Sequence, residues 1–185
     1  TEIFREGSLS QATYQNAAAF IQTHSKSDPD SVLFRLLADC SAQSGEEIKK
    51  KLFFLRHGFA EPLCLSSENA AFLNRALQKL AGGEPVQYIL GKTDFFGREF
   101  LVKEKVLIPR FDTEILVEAA LSLLPPNGCF ADLCCGSGCI GITLLAERPD
   151  VSGFFADISP AALELTKANA GRFSVTNRAE IEQVD

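Results

Sequence analysis

The run Asp132-Leu133-Cys134-Cys135-Gly136-Ser137-Gly138-Cys139-Ile140-Gly141 places a carboxylate four residues ahead of a glycine-rich turn. Gly136, Gly138 and Gly141 satisfy the spacing G-x-G-x-x-G, which lets a backbone approach a ligand closely. A second acid, Asp157, follows 21 residues after Gly136, at the end of the extended run Val151-Ser152-Gly153-Phe154-Phe155-Ala156. A carboxylate there can accept hydrogen bonds from two ribose hydroxyls. A tight strand-to-helix turn needs glycine for backbone reasons alone, but turn, helix and second acidic strand end together favour a nucleotide-like ligand. Asp132 then narrows the chemistry. A pyrophosphate binder keeps its glycines directly after the strand, against a helix N-terminus. A carboxylate at that place repels a pyrophosphate and suits the ammonium and sulfonium of S-adenosyl-L-methionine. The acid favours the methyl donor.

Four of the six cysteines, Cys129, Cys134, Cys135 and Cys139, fall within eleven residues of this turn. Their spacing lacks the C-x2-C pairs of a zinc knuckle, and the two histidines, His24 and His57, are remote in sequence. The reading is reduced cysteines filling small buried spaces, with no metal site.

The elements that must position the acids alternate strand and helix. Cys129 to Leu133 reads as a strand, Gly138 to Glu147 as a helix, and Val151 to Asp157 as a second strand. Ser159-Pro160 caps a helix towards Gly171, and Ala179 to Val184 is a third strand. That order implies parallel right-handed crossovers with a ligand crevice at the carboxyl ends of the strands. The chain opens at Thr1, holds no methionine, and stops at Asp185 after three strands, which reads as a cut in the middle of a domain.

Upstream the texture is helical. Ser8 to Gln11 fits a capping box, Asp28-Pro29 a cap with proline at the first helical position, and Ser44 to Glu47 another capping box. Ser67 opens a stripe of Phe72, Leu73, Leu77 and Leu80 that Gly82-Gly83 closes. Glu84 to Gly91 reads as a connector led by proline and ended by glycine. Asp94 to Val102 is a hairpin turning near Gly97, and Thr113 caps a helix through Leu123. The expected domains are a helical bundle over residues 1–81, a linker with a β-hairpin over 82–108, and an α/β domain over 109–185.

Composition bounds the rest. Residues 1–80 carry nine basic and nine acidic side chains, and residues 81–185 nine and fifteen, so the excess negative charge sits in the second part. That distribution argues against general affinity for a phosphate backbone. No run of about 18 apolar residues exists, and the N-terminus lacks a secretory apolar segment, so a cytoplasmic protein without a membrane span is expected.

Several segments together resemble a known family. Gly83-Glu84-Pro85-Val86-Gln87-Tyr88-Ile89-Leu90-Gly91, then Phe95-Phe96-Gly97, then Leu107-Ile108-Pro109-Arg110-Phe111-Asp112-Thr113-Glu114, then Asp132 to Gly138, are similar to the protein-(glutamine-N5) methyltransferases that modify peptide chain release factors. The resemblance implies an N-terminal helical bundle, a β-hairpin linker and the first half of a Rossmann-like methyltransferase domain. It implies S-adenosyl-L-methionine as methyl donor and the glutamine of a release factor's Gly-Gly-Gln motif as acceptor. Cofactor contacts then fall on Cys134, Cys135, Gly136, Ser137, Gly138 and Asp157, with Asp185 near the adenine. Cys134 stands where the family has its first glycine, and Phe111 where it has proline. The family's Asn-Pro-Pro-Tyr motif, expected just beyond Asp185, is not in these residues. The resemblance therefore assigns no catalytic residue to this chain and implies that the chain alone is inactive. Two other classes remain open. A dinucleotide-dependent oxidoreductase leaves Asp132 and the segment Gly83 to Gly91 unexplained, and a non-catalytic protein-binding module, with the helical bundle docking a partner beside a vestigial Rossmann half, is favoured if these 185 residues are the natural product.

Overall fold

The computed structural model describes residues 2–41, 43–59 and 63–184. The chain divides into two compact units, residues 1–90 and 91–185.

In the first unit, helices α1 (Gln11–His24), α2 (Pro29–Cys40), α3 (Gly45–Arg56) and α4 (Ser67–Ala81) surround an apolar core that includes Leu33, Leu36, Leu37, Ile48, Leu73 and Leu77. Local chemistry starts each of them. The Asp28 carboxylate accepts from Ser31 N–H at 2.8 Å with Pro29 behind it, and Ser44 and Glu47 exchange the two bonds of a capping box. At α1 the cap is Ser10, not Ser8. Gly7–Ser8 instead forms a short strand, β1, antiparallel to β2 (Cys64–Leu65), and that long-range pairing removes Ser8 from the helix. The arm before it is fastened to α4: Asn74 Oδ1 accepts from both Ile3 and Phe4 N–H at 2.9 Å, and Asn74 Nδ2 donates to Phe4 O at 2.8 Å. The segment after Pro85 is not open connector but a short helix, α5 (Val86–Leu90), because Val86 is buried in the same core.

The second unit starts with a hairpin, β3 (Lys92–Phe95) and β4 (Arg98–Leu101), in register Lys92 to Leu101. Its two turn residues, Phe96 and Gly97, both have positive φ (50° and 68°), the geometry that matches strand twist in a two-residue turn. A 3-10 turn over Phe111–Thr113 leads into α6 (Glu114–Leu123). Thr113 makes no capping bond there. Then follow β5 (Cys129–Leu133), α7 (Cys139–Glu147), β6 (Ser152–Asp157), α8 (Pro160–Arg172) and β7 (Ala179–Gln183). The sheet is parallel in the order β5-β6-β7, with Leu133 beside Ala156 and Asp157 beside Gln183. Fully buried Phe95, Phe100, Phe155 and Ile142 belong to one core that joins the hairpin to the sheet. Among the described residues, no helix is long and apolar enough to cross a membrane.

Candidate functional site: a left-handed turn between two acids

The parallel register sets the carboxyl ends of β5 and β6 side by side, so the turn after Leu133 and the last residue of β6 share one end of the sheet. The turn is tightly coiled. Cys134, Gly136 and Gly138 have φ of 59°, 59° and 73°, a region that costs an L-residue roughly 1–2 kcal/mol. Glycine suits two of those positions, and Cys134 carries a Cβ at the third.

Several of the turn's backbone groups have named partners. Cys135 N–H donates to Ala156 O at 3.0 Å and Gly138 N–H to Cys135 O at 2.8 Å. Thr166 Oγ1 donates to Gly136 O at 3.0 Å, and Asn169 Nδ2 donates to Ser137 O at 2.9 Å. Asn169 also clasps β4, accepting from Leu101 N–H at 2.9 Å and donating to Leu101 O at 3.2 Å. Thr166 and Asn169 are fully buried, so these bonds are shielded from competing water. Sequence reading missed both. Their only signal is a pair of polar residues three apart on the otherwise apolar inner face of α8.

Asp157 reaches into the turn. Its Oδ2 accepts from Gly136 N–H at 2.9 Å and its Oδ1 from Ser159 N–H at 2.9 Å. Each carboxylate oxygen has two acceptor sites, so both keep capacity for a ligand hydroxyl. Beside it Ile158 is 61% exposed, an apolar face next to the acid that the sequence reading did not single out.

Asp132 has a different setting. Its Oδ2 accepts from Gly141 N–H at 3.0 Å, which ties β5 to the first turn of α7 and places negative charge at a helix N-terminus. Burial pushes its carboxyl above the ordinary range; the Gly141 bond works against that, and the neighbouring Asp157 charge adds to it. No cationic side chain pairs with Asp132 among the described residues. The turn thus brings together Cys134, Cys135, Gly136, Ser137, Gly138 and Asp157, with Asp132 behind them. Nothing structural is described for Asp185.

Of the cysteines here, Cys134 is exposed while Cys135 and Cys139 are buried. Burial holds the latter two thiols up at about 11, so both stay protonated near neutrality. Brief alkylation at pH 8 is expected to label Cys134 and spare Cys135 and Cys139, because the thiolate is the nucleophile. Peptide mass spectrometry checks this, and equal labelling of all three would contradict it. Among the described residues, no three His, Cys, Asp or Glu side chains converge as a metal site.

Residues 110–185 match the methyltransferase small domain. Among curated proteins, the chain is 50% identical over 97 residues to the release factor glutamine methyltransferase of Neisseria gonorrhoeae, which is 52% of this chain and 36% of that protein. Identity is 44% over 121 residues to the same-named protein of Cereibacter sphaeroides, 65% of this chain and 43% of that one. It is 50% over 99 residues for that of Nitratidesulfovibrio vulgaris, covering 53% and 34%. The likeness is to release factor glutamine methyltransferases. The aligned part spans between about a third and two fifths of those relatives' length.

Proposed function

We propose that this chain supplies the methyl-donor site and the substrate-holding bundle of a release factor glutamine methyltransferase. In this reading the donor is S-adenosyl-L-methionine and the acceptor is the side-chain amide of glutamine in a Gly-Gly-Gln motif. The observation that carries it is Asp132: a desolvated carboxylate at the glycine turn with no cationic partner among the described residues. Such a group is a functional-site candidate, and the charge that would complete it is the donor's ammonium or sulfonium.

The donor supplies an electrophilic methyl group when bound. The chain's own residues hold and orient it. Asp157 takes the ribose hydroxyls, and Cys134, Cys135, Gly136, Ser137 and Gly138 bring their backbone close. Thr166 and Asn169 hold the turn in place through Gly136 O and Ser137 O. An amide nitrogen is a poor nucleophile because its lone pair is delocalised, so catalysis here is positioning rather than base strength. The resemblance places the acceptors that would orient that nitrogen in an Asn-Pro-Pro-Tyr motif, which is not among these 185 residues. Donor binding is assigned to this chain, and the complete reaction to a protein of its relatives' length.

The test is transfer of a tritiated methyl group to a release factor by a protein extended to that length. Label on the glutamine of Gly-Gly-Gln supports the reading, and label persisting after that glutamine is replaced by alanine contradicts it. Asp132→Asn gives a second handle. The native acid is raised in the fold, so burying its charge costs stability above that range, and the cost is relieved as pH falls. Asparagine still offers Gly141 N–H an acceptor without that charge. The variant should be at least as stable at pH 7, lose the wild type's relative gain on acidification, and bind the donor several-fold more weakly. Thermal melts and donor titrations across pH 4 to 7 read all three. Unchanged donor affinity would remove Asp132 from the site.

A further inference from the structure

The β3–β4 hairpin has no part in the donor site described so far, yet one buried side chain joins the two. The Asn169 amide works in both directions. Its Nδ2 donates to Ser137 O in the turn at 2.9 Å and to Leu101 O at the end of β4 at 3.2 Å, while its Oδ1 accepts from Leu101 N–H at 2.9 Å. Both of its N–H donors are thereby committed, one to each side. No side chain of similar size repeats that pattern: leucine offers neither donor nor acceptor, and a carboxylate offers acceptors where donors are needed. Asn169 is fully buried, so water does not stand in for a lost partner.

Packing follows the same line. Leu101 belongs to a small apolar cluster with Val106, Ala162 and Leu165, and a Cβ at Gly136 would stand 3.8 Å from Val106 Cγ1. The chain leaving β4 thus runs against α8 and beside the turn. At the surface, Glu99 of β4 also pairs with Arg172 of α8, but both side chains are well exposed and such a pair contributes little. Thr166 holds the neighbouring carbonyl, Gly136 O, without reaching the hairpin in any bond described. The buried link between hairpin and turn is Asn169.

We propose that Asn169 is a positioning residue of the donor site, which sets the Ser137 carbonyl against the end of β4 so that the hairpin and the ligand-binding turn respond to each other. It acts through Ser137 rather than on the ligand. The turn needs such support, because its left-handed backbone at Cys134 persists only where the surroundings fix it. Coupling of this kind is reciprocal: if the hairpin's hold on Asn169 favours the shape that binds the donor, then the bound donor strengthens that hold. This rests on the proposed function, under which the ligand is S-adenosyl-L-methionine.

Equilibrium dialysis of the 185-residue chain with labelled S-adenosyl-L-methionine, well below the melting temperature, is the first test. Asn169→Asp keeps an acceptor for Leu101 N–H and loses the donation to Ser137 O. Its dissociation constant should rise about tenfold in the folded protein, the scale of one buried polar group left without its partner. Asn169→Leu, which loses all three bonds, should rise at least as far. A purely structural residue would lower the melting temperature and leave the affinity of the folded chain at the wild-type value. The second test needs no substitution. In nitrogen–proton correlation spectra of the wild type, added donor should shift both the Asn169 side-chain amide and the Leu101 N–H. Wild-type affinity in the folded variants, or donor binding that leaves both resonances in place, overturns the positioning role alone. A wild-type chain that binds no S-adenosyl-L-methionine overturns the methyltransferase reading and this proposal with it.

Discussion

Asp157→Ala is expected to weaken S-adenosyl-L-methionine binding by about 10- to 150-fold. Removing a charged acceptor from its hydrogen bonds costs roughly 1.5–3 kcal/mol, and each 1.4 kcal/mol is about tenfold. Two effects act together at this residue. The donor's hydroxyls lose their acceptor, the turn loses the 2.9 Å bond from Gly136 N–H that holds it against β6, and the start of α8 loses the 2.9 Å bond from Ser159 N–H. Asp157→Asn keeps one acceptor oxygen without the charge and should fall between wild type and alanine. Equilibrium dialysis with labelled donor separates the three. A dissociation constant for Asp157→Ala equal to wild type would remove the acid from the site.

The second large effect is on the fold. Gly141 lies inside α7, and a Cβ there would stand 2.4 Å and 2.7 Å from atoms of the Phe155 ring and 3.0 Å from Asp132 Oδ2. Phe155 is fully buried and cannot swing away, so α7 must move off the sheet or the ring must leave its place. Overpacking of this kind costs about 1–3 kcal/mol and sometimes more. Gly141→Ala should sit at the upper end, near 3 kcal/mol, because the same shift lengthens the bond from Gly141 N–H to Asp132. Urea unfolding measures it, and a midpoint within error of wild type would contradict the packing described. By contrast, alanine at Gly171 meets nothing within 4 Å and should be tolerated.

The third glycine of the G-x-G-x-x-G run is therefore a packing residue, the first serves the turn's left-handed backbone, and Gly138 does both, since a Cβ there would stand 2.8 Å from Ile142 and Thr166. Sequence reading grouped all three under one motif, and only the structure separates their reasons. What was legible followed local rules. Asp28-Pro29 and Ser44 with Glu47 start helices because a side-chain oxygen and the backbone N–H it satisfies lie within one turn. The strand-turn-helix around Gly136 and the acidic end of β6 could be read from period and turn chemistry alone.

What was hidden depended on residues far apart in sequence. Ser8 has the right neighbours for a cap, yet its backbone pairs with Cys64, 56 positions away. Asn169 and Thr166 gain their roles from Ser137 O, Leu101 and Gly136 O, none of them on α8. Residues 86–90 fold as a helix because Val86 finds the bundle core, which the flanking Pro85 and Gly91 do not announce. At Asp132 the type of residue pointed to a ligand cation, while its bond to Gly141 N–H adds a structural duty that depends on where α7 begins.

The central claim is that the turn between Asp132 and Asp157 takes a methyl donor rather than a dinucleotide. Parallel titrations of the 185-residue chain with S-adenosyl-L-methionine and with NAD test it most directly. Saturable binding of S-adenosyl-L-methionine, with NAD bound at least about a hundredfold more weakly because its pyrophosphate meets the Asp132 carboxylate, is the predicted result. NAD binding as tight as the methyl donor, or no binding of either, would contradict it.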